Sequence, residues 1–555
     1  MFTRSMSNCL LQFLACVCLL EISLAAQSTT TPPGNRGFRI AGTVVSRADS
    51  RPLARARVTL RSVKDSHDFQ SAVTADDGKF EFTGLAAGKF SLTGDKRGFI
   101  SASYDEHEQY STAIVTGAGL DTETLQLRLA PDAVLAGKIL DESGEPVRHA
   151  IVTLYVNEHS SGVEEIRQSR SSQTDDLGEY EMTPLRPGTY FLSATAQPWY
   201  AVHPPTESDE ESRRHPEPPP QVAASLDVTY PVTYYPDVTE FDEAMAIPVK
   251  GGERIEADIH LTPAPSLHLL VRAPNIGENR YAFPSLEQPV FDGFAPVRSD
   301  GARQISPGLF ELTGVPAGRY DIRFHGSGQS RLQLSGIDLT KDGEEVDGSK
   351  SAAASSVKFW VRLSGQAAPQ HLYVGLRGGN KRIDGSKEVD VKGEAELPEV
   401  SAGRYEIAAW GPSARYSVAR VTAQGASVSG HSLSIAPGSS IQVNLTLAVG
   451  KTEVEGRVTR AGKGFAGAMV VLVPKNPDLD HDLFRRDQSD LDGTFVLHNV
   501  VPGTYTLLAI DNGWDLDWSQ PGVIGVYTKH GRKIQVSEDS GHPASVTQAI
   551  EVQPK

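Results

Sequence analysis

"SDLDGTFVLHNVVPGTYTLLA", residues 489–509, holds two apolar stretches, each opened by a glycine, with Gly493 and Gly503 ten positions apart. The same spacing occurs in Gly78 and Gly88, Gly178 and Gly188, Gly308 and Gly318, and Gly393 and Gly403. Two residues after the first glycine stand Phe80, Tyr180, Phe310, Ala395 and Phe495; two after the second stand Phe90, Tyr190, Tyr320, Tyr405 and Tyr505. Phe82, Met182, Leu312, Leu397 and Leu497 follow at the next alternate position, so the apolar side chains share one face of a strand. The period predicts strands and the glycines predict turns. Each copy reads as an antiparallel hairpin, with glycine supplying positive φ and with Asp77, Asp176 and Asp492 bonding nearby amides. A phosphate-binding loop needs a helix behind its glycines. "GTYTLLAI" has no helical period, and the nominal GxGxxG at 462–467 also lacks a helix, so both read as links between strands.

A second pattern precedes three of the copies. Ile40 to Val44 runs on to Val58–Thr59–Leu60, Leu135 to Ile139 to Val152–Thr153–Leu154, and Val454 to Val458 to Val470–Val471–Leu472. Each reads strand, polar turn, strand. With a closing alternating segment such as 125–129 or 255–259, one unit holds roughly seven short strands, enough for two packed sheets.

These phrases, above all "GKILDESGEPVRHAIVTL" at 137–154 and "TDDLGEYEMTPLRPGTYFL" at 174–192, resemble the carboxypeptidase regulatory-like domains. The resemblance implies a transthyretin-like, or prealbumin-like, sandwich related to carbohydrate-binding folds, with a non-catalytic accessory or binding role, in tandem in exported bacterial proteins. The expected fold class is therefore all-β, a tandem array of about five transthyretin-like or Ig-like antiparallel sandwiches. Their expected spans are 38–131, 132–263, 264–350, 351–450 and 451–555, after a signal peptide at 1–26 and a linker at 27–37. The third and fourth keep only the glycine-paired half and read as degenerate. The second carries a Pro-rich charged insert at 203–221, too poor in apolar residues to order itself.

With 555 residues, 51 Gly and 35 Pro, the chain suits several turn-rich domains better than one core. A net charge of -16 repels phosphate backbones and anionic lipid, so nucleic acid is not an expected partner. Arg4, the apolar run Cys9 to Leu20 and Ser23–Leu24–Ala25 read as an export signal cleaved near Ala25 or Ala26. The alternatives are a membrane anchor, against which Gln12, Glu21 and the short run speak, and a lipoprotein box at Phe13 to Cys16. The three cysteines, Cys9, Cys16 and Cys18, all fall inside this signal, leaving the mature chain without thiol, disulfide or cysteine metal site and without a membrane span. The destination is periplasm, cell surface or medium.

None of the 15 histidines sits in His-x-x-Glu, HExxH or His-x-His, and no GxSxG is present, so no catalytic residue, no metal ligand and no cofactor is expected, and the chain reads as no enzyme. Asp478, Asp480 and Asp482 have Leu483 where a calcium loop needs glycine and read as a solvated loop. The candidate ligand-stacking residues are Trp199, Tyr200, Tyr230, Tyr234 and Tyr235 around the insert and Trp514 and Trp518 in "DNGWDLDWSQ". Rings beside carboxylates suit sugars; the same rings also suit the covering of sandwich ends. The expected partner is a polysaccharide or an envelope protein.

Overall fold

A computed structural model describes residues 37–204, 223–277, 280–299, 301–325, 331–348, 355–363, 370–378, 383–412, 414–537 and 544–555. The expected signal peptide and most of the Pro-rich insert lie outside the described residues. The described chain is all-β apart from the helix Pro521–Thr528 and isolated 3-10 turns. Among the described residues no helix is long and apolar enough to cross a membrane.

In the first unit Phe38–Ser46 lies between Lys79–Leu85, antiparallel to it, and Leu125–Leu129, parallel to it. A second sheet orders Phe69–Val73, Arg57–Ser62 and Gly88–Asp95. Ile40, Val44, Val58, Leu60, Phe80, Phe82, Leu92 and Leu127 fill the space between the sheets. Each such side chain withdrawn from water stabilises the unit by about 1.5–3 kcal/mol. Ala133–Leu140 in the second unit and Thr452–Arg460 in the fifth repeat the arrangement, each with an antiparallel neighbour and a parallel closing strand. The closing strand is thus parallel, which alternation alone does not reveal: period two says which face is buried and is silent on direction.

The predicted hairpins are not formed. Thr494–Val500 pairs with Thr452–Arg460, whereas Gly503–Ile510 pairs with Met469–Pro474 and Arg532–Val536 in the opposite sheet. Lys79–Leu85 and Gly88–Asp95, and Glu179–Leu185 and Gly188–Thr195, part in the same way. The link between them crosses the end of the sandwich, so Phe495 and Leu497 meet Tyr505 and Leu507 through the core rather than side by side.

This crossing explains the two glycines differently. Gly78, Gly178, Gly308, Gly393 and Gly493 all have φ between +71° and +84°, a region that favours glycine, and a Cβ on Gly493 would stand 2.3 Å from the Val458 carbonyl oxygen. Gly88, Gly188, Gly318 and Gly503 do not take positive φ. They are small because the aromatic two residues on folds back: at Gly503 a Cβ would lie 3.3 Å from the Tyr505 ring. The folded-back tyrosines pin the crossing, donating to the carbonyl four residues earlier: Tyr190 to Arg186 at 2.8 Å, Tyr320 to Pro316 at 2.6 Å, Tyr405 to Ser401 at 3.0 Å and Tyr505 to Val501 at 2.7 Å. Tyr505→Phe leaves that carbonyl unpaired in the core and is expected to lower the unfolding free energy by about 1 kcal/mol, read as a lower urea midpoint at unchanged slope.

In the first, second and fifth units a hydroxyl four residues before the first glycine ties the loop. Thr74 accepts from Ala56 and donates to Leu53, Thr174 accepts from Ala150 and donates to Val147, and Ser489 accepts from Ala468 and donates to Phe465. Beside Gly178 the aspartate that caps the turn is Asp175, which accepts from Leu177 and Glu179, and not the expected Asp176.

The upstream halves of the third and fourth units exist despite their divergent sequence. Leu267–Arg272 runs antiparallel to Leu309–Val315 and parallel to Glu344–Asp347, around Leu269, Val271, Phe310, Leu312 and Ile322. In the fourth, Ser355–Leu363 is parallel to Ser440–Gly450, and the ten-residue strand Arg415–Gln424 joins what are elsewhere two sheets into one of nine strands.

Candidate functional site

The aromatics around the insert divide by burial. Tyr234 is buried, its ring edge-on to Phe291 of the third unit at 5.6 Å, and burial pushes its phenol well above the usual value. Tyr235 packs against the second core, to which Tyr230 also belongs. Trp199 and Tyr200 remain at the surface. Trp199 is 88% exposed, with Tyr200 edge-on at 5.8 Å. Behind them Glu142, on the turn after Ala133–Leu140, accepts the hydroxyls of Tyr200 and, at 2.8 Å, of Tyr230. Burial alone would raise the Glu142 carboxyl, but these two donors and its own amide hold it below the usual carboxylate range. The Tyr200 phenol is pushed up to about 12, first by that hydrogen bond and then by burial. The result is an open indole edge-on to a tyrosine whose hydroxyl is held by an ionised carboxylate.

Trp514 and Trp518 lie elsewhere, at a contact that returns the fifth unit to the first. Trp514 is stacked on His107, 5.1 Å away at 6°, with Tyr110 at 5.6 Å. Trp518 is 8% exposed, with Phe484 against it and the Arg486 guanidinium 4.1 Å from its centroid. Neighbouring side chains thus occupy the rings proposed from sequence as sugar platforms. Arg486, its side chain 3% exposed, forks onto Glu108 at 2.6 and 3.1 Å. Around it, Gln488 donates to the Asp105 carbonyl and to Thr112, Lys89 pairs with Asp490 at 2.6 Å, and Asp490 accepts from the Ala113 amide. Burial raises the Asp490 carboxyl in spite of Lys89. The second unit joins through its 159–164 loop: Asp517 accepts the Glu164 amide and Ser519 donates to the Gly162 carbonyl.

The family model for the carboxypeptidase regulatory-like domain matches residues 39–129. Residues 39–129 are a carboxypeptidase regulatory-like domain. No curated protein matches the chain. Solved structures similar to it include the Bacillus anthracis TIE protein, at 10% identity over 76% of each chain with a TM-score of 0.17. A streptococcal ancillary pilin matches at 12% identity, over 56% of this chain and 98% of its own, TM-score 0.19. A minor pilin of Streptococcus agalactiae matches at 12%, over 44% of this chain and 100% of its own, TM-score 0.20.

The carboxypeptidase regulatory-like domain therefore supplies the receiving surface, since Lys89, Asp105, His107, Glu108, Tyr110 and Thr112 all lie within it. Sequence reasoning missed Arg486 and Glu108, because their meaning depends on a partner 378 positions away. One signal was present: "RRDQ", the strand Arg485–Gln488, has no apolar residue yet takes a strand position, so its alternate faces must both find polar partners. In the acidic loop Asp480 approaches His431 at 3.9 Å and Asp482 approaches Arg377 at 3.9 Å, so these carboxylates face the fourth unit. Residues 463–464 of the nominal GxGxxG form a short strand on Thr459–Arg460, a link between strands as read. Among the described residues no group of three or more His, Cys, Asp or Glu side chains is placed to hold a metal ion.

Proposed function

We propose that the chain is a non-catalytic, exported scaffold or binding protein of the cell envelope, in which β-sandwich units present a closed, preorganised surface. The observation that carries the reading is the return contact, where Arg486, Glu108, Gln488 and Trp514 are engaged in holding the fifth unit on the carboxypeptidase regulatory-like domain. Chemically rich side chains so fixed serve assembly. Export is supported by Arg4, the apolar run and the small-x-small residues 23–25. Incubating the mature protein with peptide and ester substrates, with and without zinc, is expected to give no turnover; turnover tracking the purified protein rejects the reading.

A second reading, glycan binding, is favoured at one place. Trp199 offers an open indole, and Tyr200 edge-on to it carries a hydroxyl oriented by Glu142, a combination suited to a sugar ring and its hydroxyls. Trp199→Ala is expected to reduce retention on an immobilised neutral polysaccharide at least tenfold without moving the melting temperature. Equal retention by the variant removes this reading and leaves the scaffold reading intact.

A further inference from the structure

We propose that the cleft between the fourth and fifth units binds a carboxylate-bearing sugar, with Arg415 facing the carboxylate, the buried charge of Arg485 behind it, and Trp410 facing the pyranose ring. This site is distinct from the Trp199 surface and does not depend on the scaffold reading.

The cleft has a volume of about 520 Å³, and its walls include Arg377, Trp410, Arg415, Asp482 and Asn499. Arg485 stands behind the wall, donating from Nε to the Asn499 carbonyl at 3.1 Å and from Nη1 to the carbonyls of Asp482 and Phe484. Its Nη2 is buried without a hydrogen-bond partner. Burial, and next to it the charge of Arg415, pushes this guanidinium below its ordinary value. Among the described residues no carboxylate lies within ion-pair distance of Arg415 or Arg485, although the chain carries 69 acidic residues against 53 basic ones. Arg415 lines the cleft and Arg485 adds a second positive charge immediately behind the wall, so the cleft favours a carboxylate.

Two further features choose among anions. Trp410 is 37% exposed at the cleft and stacked on Tyr373, 6.1 Å away at 13°, which holds the indole rigid. An indole contributes little to a bare phosphate but covers the C–H face of a sugar. Asp482, on the same wall, repels a dense polyanion while accepting hydroxyl hydrogen bonds. A monocarboxylated, hydroxyl-rich ring satisfies all three.

The test is calorimetric titration of the full mature chain with galacturonate trisaccharide, beside galactose trisaccharide, a glutamate tripeptide and inorganic phosphate. The acidic trisaccharide is expected to bind at least tenfold more tightly than the other three. Arg415→Gln, at an exposed position, and Trp410→Leu are each expected to weaken it at least tenfold at unchanged melting temperature, and Trp199→Ala to leave it unchanged. If a variant melts early, competition by free glucuronate against the trisaccharide on the unaltered chain decides. Absence of binding, equal binding of the neutral sugar, the peptide or phosphate, or variants that bind like the parent overturn the proposal.

Discussion

Arg486→Ala detaches the fifth unit from the carboxypeptidase regulatory-like domain. Removing one member of a buried, forked pair leaves the other charge without compensation, at a cost of about 3 kcal/mol or more. Glu108 retains some solvent access, with a side chain 20% exposed, which keeps the value at the low end. The loss includes the cation stacked on Trp518. It does not reach the fifth core, where Val454, Phe495, Tyr505 and Leu507 pack among themselves. Both units are therefore expected to stay folded while the contact opens. Small-angle scattering should report a larger radius of gyration, and Trp514, freed from His107, should become accessible to a fluorescence quencher. Glu108→Gln, which retains a hydrogen-bonding head without charge, should produce a smaller opening. A scattering profile for Arg486→Ala identical to that of the parent would refute the contact as the element that closes the molecule.

What the sequence displayed and what it concealed follow from the range of each interaction. The phasing of Gly493, Phe495, Gly503 and Tyr505 is local, and it announces strands, buried faces and the positive φ of Gly493. The partner of a strand is not local. Thr494–Val500 and Gly503–Ile510 have the alternation of a hairpin and of a crossing equally, and the choice is made by the hydroxyl of Tyr505 on the Val501 carbonyl together with the sheets already waiting on either side. The third and fourth units were harder still, because Leu267–Arg272 and Ser355–Leu363 keep the strand period without the motif. Trp518 and Trp199 show the same limit at the candidate sites. Both are tryptophans beside acids or polar residues, yet one is covered by Arg486 and by the 159–164 loop of a distant unit, and the other is left open. Trp410 escaped notice because its neighbours in the cleft, Asp482 and Asn499, come from the next unit.

Asp487→Asn is expected to stabilise the chain at neutral pH and to leave it little changed in acid. On the strand Arg485–Gln488, Arg486 and Gln488 face the first unit, which turns Asp487 to the other side, where it accepts the Val496 amide at 2.7 Å. Burial dominates its environment and raises its carboxyl to about 6, against the opposing pull of the Val496 and Gln488 amides. Below about pH 4 the folded and unfolded chains both carry the proton, and the residue is neutral to stability. Between about pH 4 and pH 6 the unfolded chain releases it while the folded chain retains it, so stability falls as pH rises. Above pH 6 the folded state holds an ionised, poorly solvated carboxylate, and raising the group from about 4 to about 6 corresponds to a deficit of about 2–3 kcal/mol. Asparagine presents an acceptor to Val496 and cannot ionise. Its buried amide protons carry a cost of their own, but that cost does not vary with pH, so the quantity to measure is the difference between variant and parent unfolding free energies at pH 4 and at pH 7.5. A gap of about 2 kcal/mol that opens with rising pH is expected. Parallel stability curves across that range would mean that Asp487 is solvated in the folded chain and that the strand's second face opens to water.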